Sequence, residues 1–209
     1  MLKNFIFDID GTLIDTIEMY MPALQVTLEK HGYHRDYHDL TKLFGITALD
    51  ALWGAGVAEA DLQPIFKEWF DLAYQNTAQV KVFPEIEDVL SQLATHPGIN
   101  LVVATSKTTD EYRNEFAKNF AIAKYFDHYV TADDTKKHKP DPDPVLAGIA
   151  KVNGVAAESI YIGDTINDLK AATAAGAHFG AALWGSAQPE NLVDAEFSLQ
   201  TPSDLLKLI

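Results

Sequence analysis

Apolar and polar positions are grouped along the chain in a way that predicts alternating strands and helices. Residues 4–9 form an apolar, β-prone run that ends in the turn sequence Asp-x-Asp-Gly-Thr, which predicts a buried first strand. Later short apolar runs predict further strands, at 101–105, 127–131, 159–163 and 178–184, the last of the core. Stretches with helical spacing separate these strands, at 84–95 (from Pro84), 108–120, 142–152 and 166–175.

This alternation predicts an α/β fold with a parallel sheet covered on both faces, a Rossmann-like core. A purely helical stretch interrupts it after the first strand, with helices expected at 16–31 (kinked at Pro22), within 39–54 (broken at Gly45) and at 59–76. We therefore expect an inserted all-helical cap at 16–80, and a catalytic core formed by 1–15 and 81–209.

Composition narrows the classes of partner. The 209 residues carry a net charge of -14 and a pI near 4.7, which disfavours nucleic acid binding. The only dense cationic run, 136–139, suffices for one phosphate group. No cysteine is present, which excludes disulfides and thiol nucleophiles. No apolar run is long enough for a membrane span, so we expect a cytoplasmic protein, either monomer or homodimer.

Polar residues follow the predicted strands at the points where they end. Ligands of an open parallel sheet bind at the carboxyl ends of its strands. The residues at these ends are Asp8 and Asp10, Thr105 and Ser106, Lys139, and Asp164 and Asp168. Each is ordinary alone, but together they predict a site for a phosphate group and a hard cation.

The four aspartates predict a magnesium site. Carboxylates crowded into one crevice cannot all stay ionised without a counter-ion, and Mg²⁺ prefers oxygen ligands. Gly11 permits a turn that lets both Asp8 and Asp10 face the crevice. One carboxylate can then attack phosphorus while the other handles the leaving-group proton.

The remaining polar strand ends have simpler interpretations as well. Thr105 and Ser106 can hold a phosphate oxygen, but taken alone they are more simply explained as a cap of the next helix. Lys139 precedes a proline, so its backbone is expected to be extended; its ammonium can bridge nucleophile and phosphate, or it can be a solvated loop lysine.

Four motifs in order resemble those of phosphohydrolases of the haloacid dehalogenase superfamily. They are Phe-Asp-Ile-Asp-Gly-Thr-Leu at 7–13, Thr105 after an apolar run, Lys-Pro-Asp-Pro at 139–142 and Gly-Asp-Thr-Ile-Asn-Asp at 163–168. Each follows a predicted strand or its loop, and the resemblance covers nearly the whole chain.

The resemblance implies roles for the acidic residues. Asp8 is expected to be the nucleophile and a metal ligand. Asp10 is expected to be the general acid and base, with its backbone carbonyl on the Mg²⁺ ion. Asp164 is expected to be a metal ligand, and Asp168 is expected to support the metal's water shell.

The same resemblance implies a phosphate site at Gly11, Thr105, Ser106 and Lys139, and a cap that closes over it and selects the substrate. The expected activity is magnesium-dependent hydrolysis of a small phosphomonoester through an aspartyl-phosphate, similar to that of phosphoglycolate phosphatases. The expected partner is a small phosphorylated metabolite.

Three alternatives stay open. A β-phosphoglucomutase-like mutase is disfavoured because Tyr20 stands where the mutases have a histidine, and no cation follows Lys42 around Gly45. A pyrophosphatase or nucleotidase shares the same motifs. A non-catalytic binding protein is the third, although the intact set of Asp8, Asp10, Lys139 and Asp164 argues against it. Any of the basic residues of the predicted cap could meet a substrate carboxylate, although we expect most of them to be solvated surface residues. They are Lys30, His31, His34, Arg35, His38, Lys42 and Lys67.

Overall fold

A six-stranded parallel β-sheet forms the centre of the protein, in a computed structural model that describes residues 1–209. The strands are β1 (Asn4–Phe7), β2 (Ile14–Asp15), β3 (Lys81–Val82), β4 (Asn100–Ala104), β5 (His128–Val130), β6 (Ser159–Gly163), β7 (His178–Ala182) and β8 (Phe197–Leu199). The central sheet has the order β5-β4-β1-β6-β7-β8, and β2 and β3 form a separate antiparallel pair.

Helices cover the sheet and fill the insertion. They are α1 (Ile17–Lys30), α2 (Tyr37–Thr41), α3 (Ala48–Gly54), α4 (Leu62–Ala73), α5 (Ile86–Thr95), α6 (Thr109–Glu111, continued as a π-helix over Tyr112–Ala117), α7 (Asp143–Lys151) and α8 (Ile166–Ala174). None of these helices combines the length and the apolar character that a membrane crossing requires.

Alternate side chains of β1 explain why both faces of the sheet are covered. Phe5 and Phe7 belong to an apolar cluster with α5, whereas Ile6 belongs to a second cluster with α7 and α8. Successive strand residues point to opposite faces, so a strand buried on both sides reads as a continuous apolar run. The predicted α/β fold with a parallel core sheet is confirmed.

Three local predictions were wrong. β7 is not the last strand, because β8 adds a sixth strand at the sheet edge. Pro84 lies in a turn ahead of α5, and Glu85 adopts a left-handed φ of 68° before the helix begins. The helix expected at 108–120 ends at Ala117 and is mostly a π-helix.

The helical insertion has an apolar cluster of its own. Together, α1 to α4 and the segments that connect them bury 16 apolar residues, among them Leu24, Leu52, Ile65 and Trp69. We propose that residues 16–80 form a cap unit and that residues 1–15 and 81–209 form the core unit. The chain passes from the core unit into the cap unit through β2 and returns through β3. These two strands pair, with Ile14 opposite Val82 and Asp15 opposite Lys81.

Candidate active site

The parallel sheet brings the polar strand ends to one edge. Asp8 follows β1, Thr105 follows β4 and Asp164 follows β6, and these three strands are neighbours in the sheet. Asp8, Thr105 and Asp164 are all buried. The structure therefore places these predicted site residues side by side at the carboxyl edge.

Lys139 connects two of the aspartates. Its Nζ lies 2.9 Å from Asp8 Oδ2 and 2.8 Å from Asp168 Oδ1, and all three side chains are almost fully buried. Burial lowers the pKa of Lys139, but the charges of Asp168 and Asp8 outweigh it and hold that pKa well above its ordinary value. Lys139 is therefore a fixed cation beside Asp8 and not a solvated loop lysine.

One ammonium does not balance the carboxylates around it. Carboxylate oxygens of Asp8, Asp164 and Asp168 lie within 4.8 Å of one another. Burial, with the charge of Asp168, raises the pKa of Asp8 to about 7 despite Lys139, and burial raises the pKa of Asp164 well above its ordinary value. A third charged carboxylate at this distance requires a further cation.

The free oxygen atoms show which carboxylates suit a metal. Asp164 Oδ1 accepts a hydrogen bond from Thr12 at 3.1 Å, whereas its buried Oδ2 has no hydrogen-bond partner. Asp168 is committed on both oxygens, to Lys139 through Oδ1 and to the N-terminal turn of α8 through Oδ2. The residues thus fit a hard divalent cation bound chiefly by Asp8 and Asp164, with Asp168 in support.

Gly11 turns the chain tightly against this cluster. Its φ is +76°, and a Cβ at this position would lie 2.3 Å from Asp164 Oδ2. Only glycine satisfies both conditions. Trp184 donates from Nε1 to the carbonyl of Thr12 at 2.9 Å, which fixes the turn from the far side.

Asp10 lies apart from the other aspartates. Its Oδ1 accepts from the Thr16 hydroxyl at 2.8 Å, and its Oδ2 lies 2.9 Å from Lys107 Nζ. Its carboxylate therefore faces the cap side of the cleft and does not join the metal-binding group. This position suits exchange of a proton with a leaving group rather than coordination by the side chain.

Lys107 is a site residue that the sequence analysis missed. It is buried between Asp10 and the Tyr20 hydroxyl of α1, to which Nζ donates at 3.1 Å. Burial lowers the pKa of Lys107, but Asp10 and the groups around it raise that pKa well above its ordinary value. For the neighbouring Tyr20 hydroxyl, burial acts in the opposite direction and raises the pKa to about 12. The signal in the sequence was its position, two residues after Thr105 at the end of a buried strand.

The two hydroxyl residues after β4 have different partners. Thr105 accepts a hydrogen bond on Oγ1 from the backbone N–H of Lys107 at 3.2 Å. Ser106 donates to the Gly45 carbonyl of the cap at 3.1 Å. Gly45 also packs against Thr165, where a Cβ would approach the Thr165 methyl group to 2.7 Å. The cap therefore rests directly on the strand ends.

A cleft between cap and core opens onto Asp8 and Asp10. Its floor is formed by these two residues with Ser106 and Lys107, and its walls are mainly apolar side chains of the cap. None of the basic cap residues that the sequence suggested for a substrate carboxylate lines this cleft.

Comparisons with known proteins find relatives that match almost the whole chain. Residues 5–182 match the family model described as haloacid dehalogenase-like hydrolase. A phosphoglycolate phosphatase from Aquifex aeolicus is 30% identical over 219 residues, covering 100% of this chain and 97% of its own. The pyrophosphatase PpaX of Bacillus velezensis is 28% identical over 208 residues, covering 97% and 94%. A chain of known structure from Lactobacillus plantarum superposes with a TM-score of 0.89, at 27% identity and 100% coverage of both chains.

Proposed function

The chain belongs to the haloacid dehalogenase-like hydrolase family, and we propose that it is a magnesium-dependent phosphatase acting on a small phosphomonoester through an aspartyl-phosphate. The observation that carries the proposal is the buried arrangement in which Lys139 bridges Asp8 and Asp168. A carboxylate held beside a permanent cation can receive a negatively charged phosphoryl group.

In the first step, the Asp8 carboxylate attacks phosphorus and the bond from phosphorus to the leaving oxygen breaks. Asp10 gives its proton to that oxygen, and the product leaves as an alcohol. Lys139 balances charge at Asp8, while Thr105 and the backbone at Gly11 and Ser106 hold the phosphoryl oxygens.

In the second step, Asp10 takes a proton from a water molecule, whose oxygen attacks phosphorus. The bond between Asp8 and phosphorus breaks, which restores the carboxylate and releases inorganic phosphate. A magnesium ion held by Asp8 and Asp164, with the Asp10 carbonyl and Asp168 in support, supplies neutralisation of the phosphoryl charge when bound.

The direct test is phosphate release from a panel of phosphomonoesters, with magnesium and again with a chelator. The panel holds an aryl phosphate, hexose phosphates, nucleoside monophosphates and phosphoglycolate. We expect metal-dependent release that Asp8→Asn abolishes and that Asp15→Asn, at an exposed position of β2, leaves intact. Acid quenching should trap a phosphorylated protein in the wild type and in Asp15→Asn, but not in Asp8→Asn.

The outcomes separate the alternatives. Metal-independent release contradicts the magnesium requirement, and near-native turnover by a correctly folded Asp8→Asn variant contradicts the covalent mechanism. Conversion of β-glucose 1-phosphate to the 6-phosphate without phosphate release would instead identify a mutase. An absence of turnover on every substrate by the folded protein would favour a binding role.

A further inference from the structure

The cap side of the cleft is lined almost entirely by apolar side chains. Phe44, Ile46, Trp69 and Phe70 face the space above Asp8 and Asp10, and nine of the fifteen lining residues are hydrophobic. Phe70 packs edge-on against Trp69 and at an interplanar angle of 52° against Tyr20, so this wall is a continuous aromatic surface. The leaving group of a substrate bound at Asp8 has to occupy this space.

Charge in the cleft is also unfavourable for a second anion. Lys107 is the only cation among the lining residues, and its Nζ is already paired with Asp10 at 2.9 Å. Glu111 adds a carboxylate to the same lining. Apart from Asp8, the cleft therefore presents two carboxylates and one ammonium to the leaving group.

None of the seven basic cap residues lines the cleft, and five of them pair with carboxylates outside it. Lys30 and His31 both contact the carboxylate of Glu68 at the surface. Likewise, His34 contacts Glu29 and Lys67 contacts Asp71. Lys42 pairs with Asp39 and lines a different small cleft, beside Asp164. A carboxylate in the main cleft would therefore lose its hydration without gaining an unpaired cation.

The cleft does offer hydrogen bonds to a neutral oxygen. Lys107 uses two of its three N–H groups, on Asp10 and Tyr20, and the Tyr20 hydroxyl keeps its own proton. The indole N–H of Trp69 is engaged with the Tyr20 carbonyl at 2.8 Å. These free donors suit one hydroxyl, ether or amide oxygen.

From this lining, and resting on the proposed phosphatase function, we infer that the substrate carries an uncharged leaving group with an apolar body. The class is a phosphomonoester of a neutral alcohol with few polar atoms. Phosphoglycolate and pyrophosphate, which give the relatives from Aquifex aeolicus and Bacillus velezensis their names, are poor substrates for this chain.

The test compares kcat/KM for phosphoglycolate with that for phosphoglycolamide, in which a neutral amide replaces the carboxylate at nearly the same size. n-Propyl phosphate and pyrophosphate extend the comparison to an apolar and a highly charged leaving group. We expect the two neutral esters to be favoured by at least about tenfold, because the carboxylate is buried without a partner.

Three substitutions in the cap, two of them to lysine, sharpen the test. Ile46→Lys places a cation on the apolar wall and should raise the ratio of phosphoglycolate to phosphoglycolamide activity by roughly tenfold. Leu49→Lys, at an exposed position of α3 outside the cleft, should leave the ratio unchanged. Lys42→Met should also leave it unchanged.

The outcomes separate the inference from the function beneath it. Metal-dependent turnover that favours phosphoglycolate or pyrophosphate over the neutral esters overturns the inference and leaves the phosphatase function standing. A selective loss of phosphoglycolate activity in Lys42→Met overturns it too, by showing that Lys42 binds the carboxylate. No turnover of any ester overturns both.

Discussion

The Lys107–Asp10 pair gives a quantitative test of how the acid and base of the site is held. Lys107→Met keeps the unbranched side chain as far as Cε and removes the charged Nζ. At 2.9 Å and an effective dielectric constant of about 20, the two charges attract by about 6 kcal/mol. Part of this is recovered because lysine no longer has to be desolvated. Since Asp10 keeps 15% of its side chain exposed, we expect a net loss of about 3 kcal/mol of unfolding free energy.

The assay is a double-mutant cycle measured by urea unfolding. Lys107→Met leaves Asp10 without its cation, and Asp10→Asn leaves Lys107 buried without its anion. The double variant contains neither unpaired charge, so its destabilisation should fall short of the sum of the single effects by about 2 kcal/mol. Lys67→Met is the matched control, because its pair with Asp71 is exposed and should contribute less than about 1 kcal/mol.

Kinetics of the same variants report on the proposed role of Asp10. Lys107→Met should lower kcat/KM by about 100-fold, since an Asp10 side chain that Lys107 no longer holds in place transfers the leaving-group proton poorly. In the Asp10→Asn background, the same substitution should have a much smaller kinetic effect. Additive stabilities, together with equal kinetic losses in both backgrounds, would refute the coupling.

Three further predictions concern the turn, the cap contact and the metal. Gly11→Ala should weaken magnesium activation strongly, because its Cβ meets Asp164, whereas Gly32→Ala, at a similar positive φ with open space around it, is the control; equal effects in a magnesium titration would contradict this. Tyr20→Phe removes a hydrogen bond to Lys107 and should lower the free energy of unfolding, measured in urea, by about 1 kcal/mol. If no loss is measured, this hydrogen bond does not stabilise the folded protein. Without metal, the midpoint temperature of thermal unfolding should decrease as the pH is raised from about 5 to about 8. Burial raises the pKa of Asp8 from 3.8 to about 7, so the proton that stabilises the folded state is lost as the pH rises through that value. Magnesium should flatten this dependence, and a metal-free curve that rises with pH would contradict it.

The sheet could be predicted because its central strands are buried on both faces. β1, β4 and β6 are short, continuous apolar runs that end in polar turns, a pattern that specifies both the strand and the edge where its side chains emerge. β8 escaped prediction because three residues, one of them exposed, carry no detectable periodicity. It pairs only with β7, and that register is set by tertiary structure.

The site residues also fall into those that local sequence predicts and those that depend on tertiary structure. Asp8, Lys139 and Asp164 follow strands or their loops, so local sequence is enough to propose them. The position of Lys107, two residues after Thr105, was not enough to single it out, because lysine is normally solvated and its burial here involves Tyr20, 87 residues away in the chain. No choice among the basic cap residues was possible from the sequence either. Helical spacing does not reveal which face of a cap helix will meet the core.

The β2–β3 pair has a consequence for how such a chain can change over generations. The insertion leaves the core at Ile14–Asp15 and returns at Lys81–Val82, so its two ends are hydrogen-bonded neighbours. Closing a segment whose ends already touch costs the core little, and even a doubling of its length adds only about 0.6 kcal/mol in chain entropy. The inserted segment is thus free to be lengthened, shortened or repacked while the strand ends that carry Asp8 and Asp164 keep their register. One set of reactive groups can in this way be inherited unchanged while the cap above it differs in length, sequence and packing.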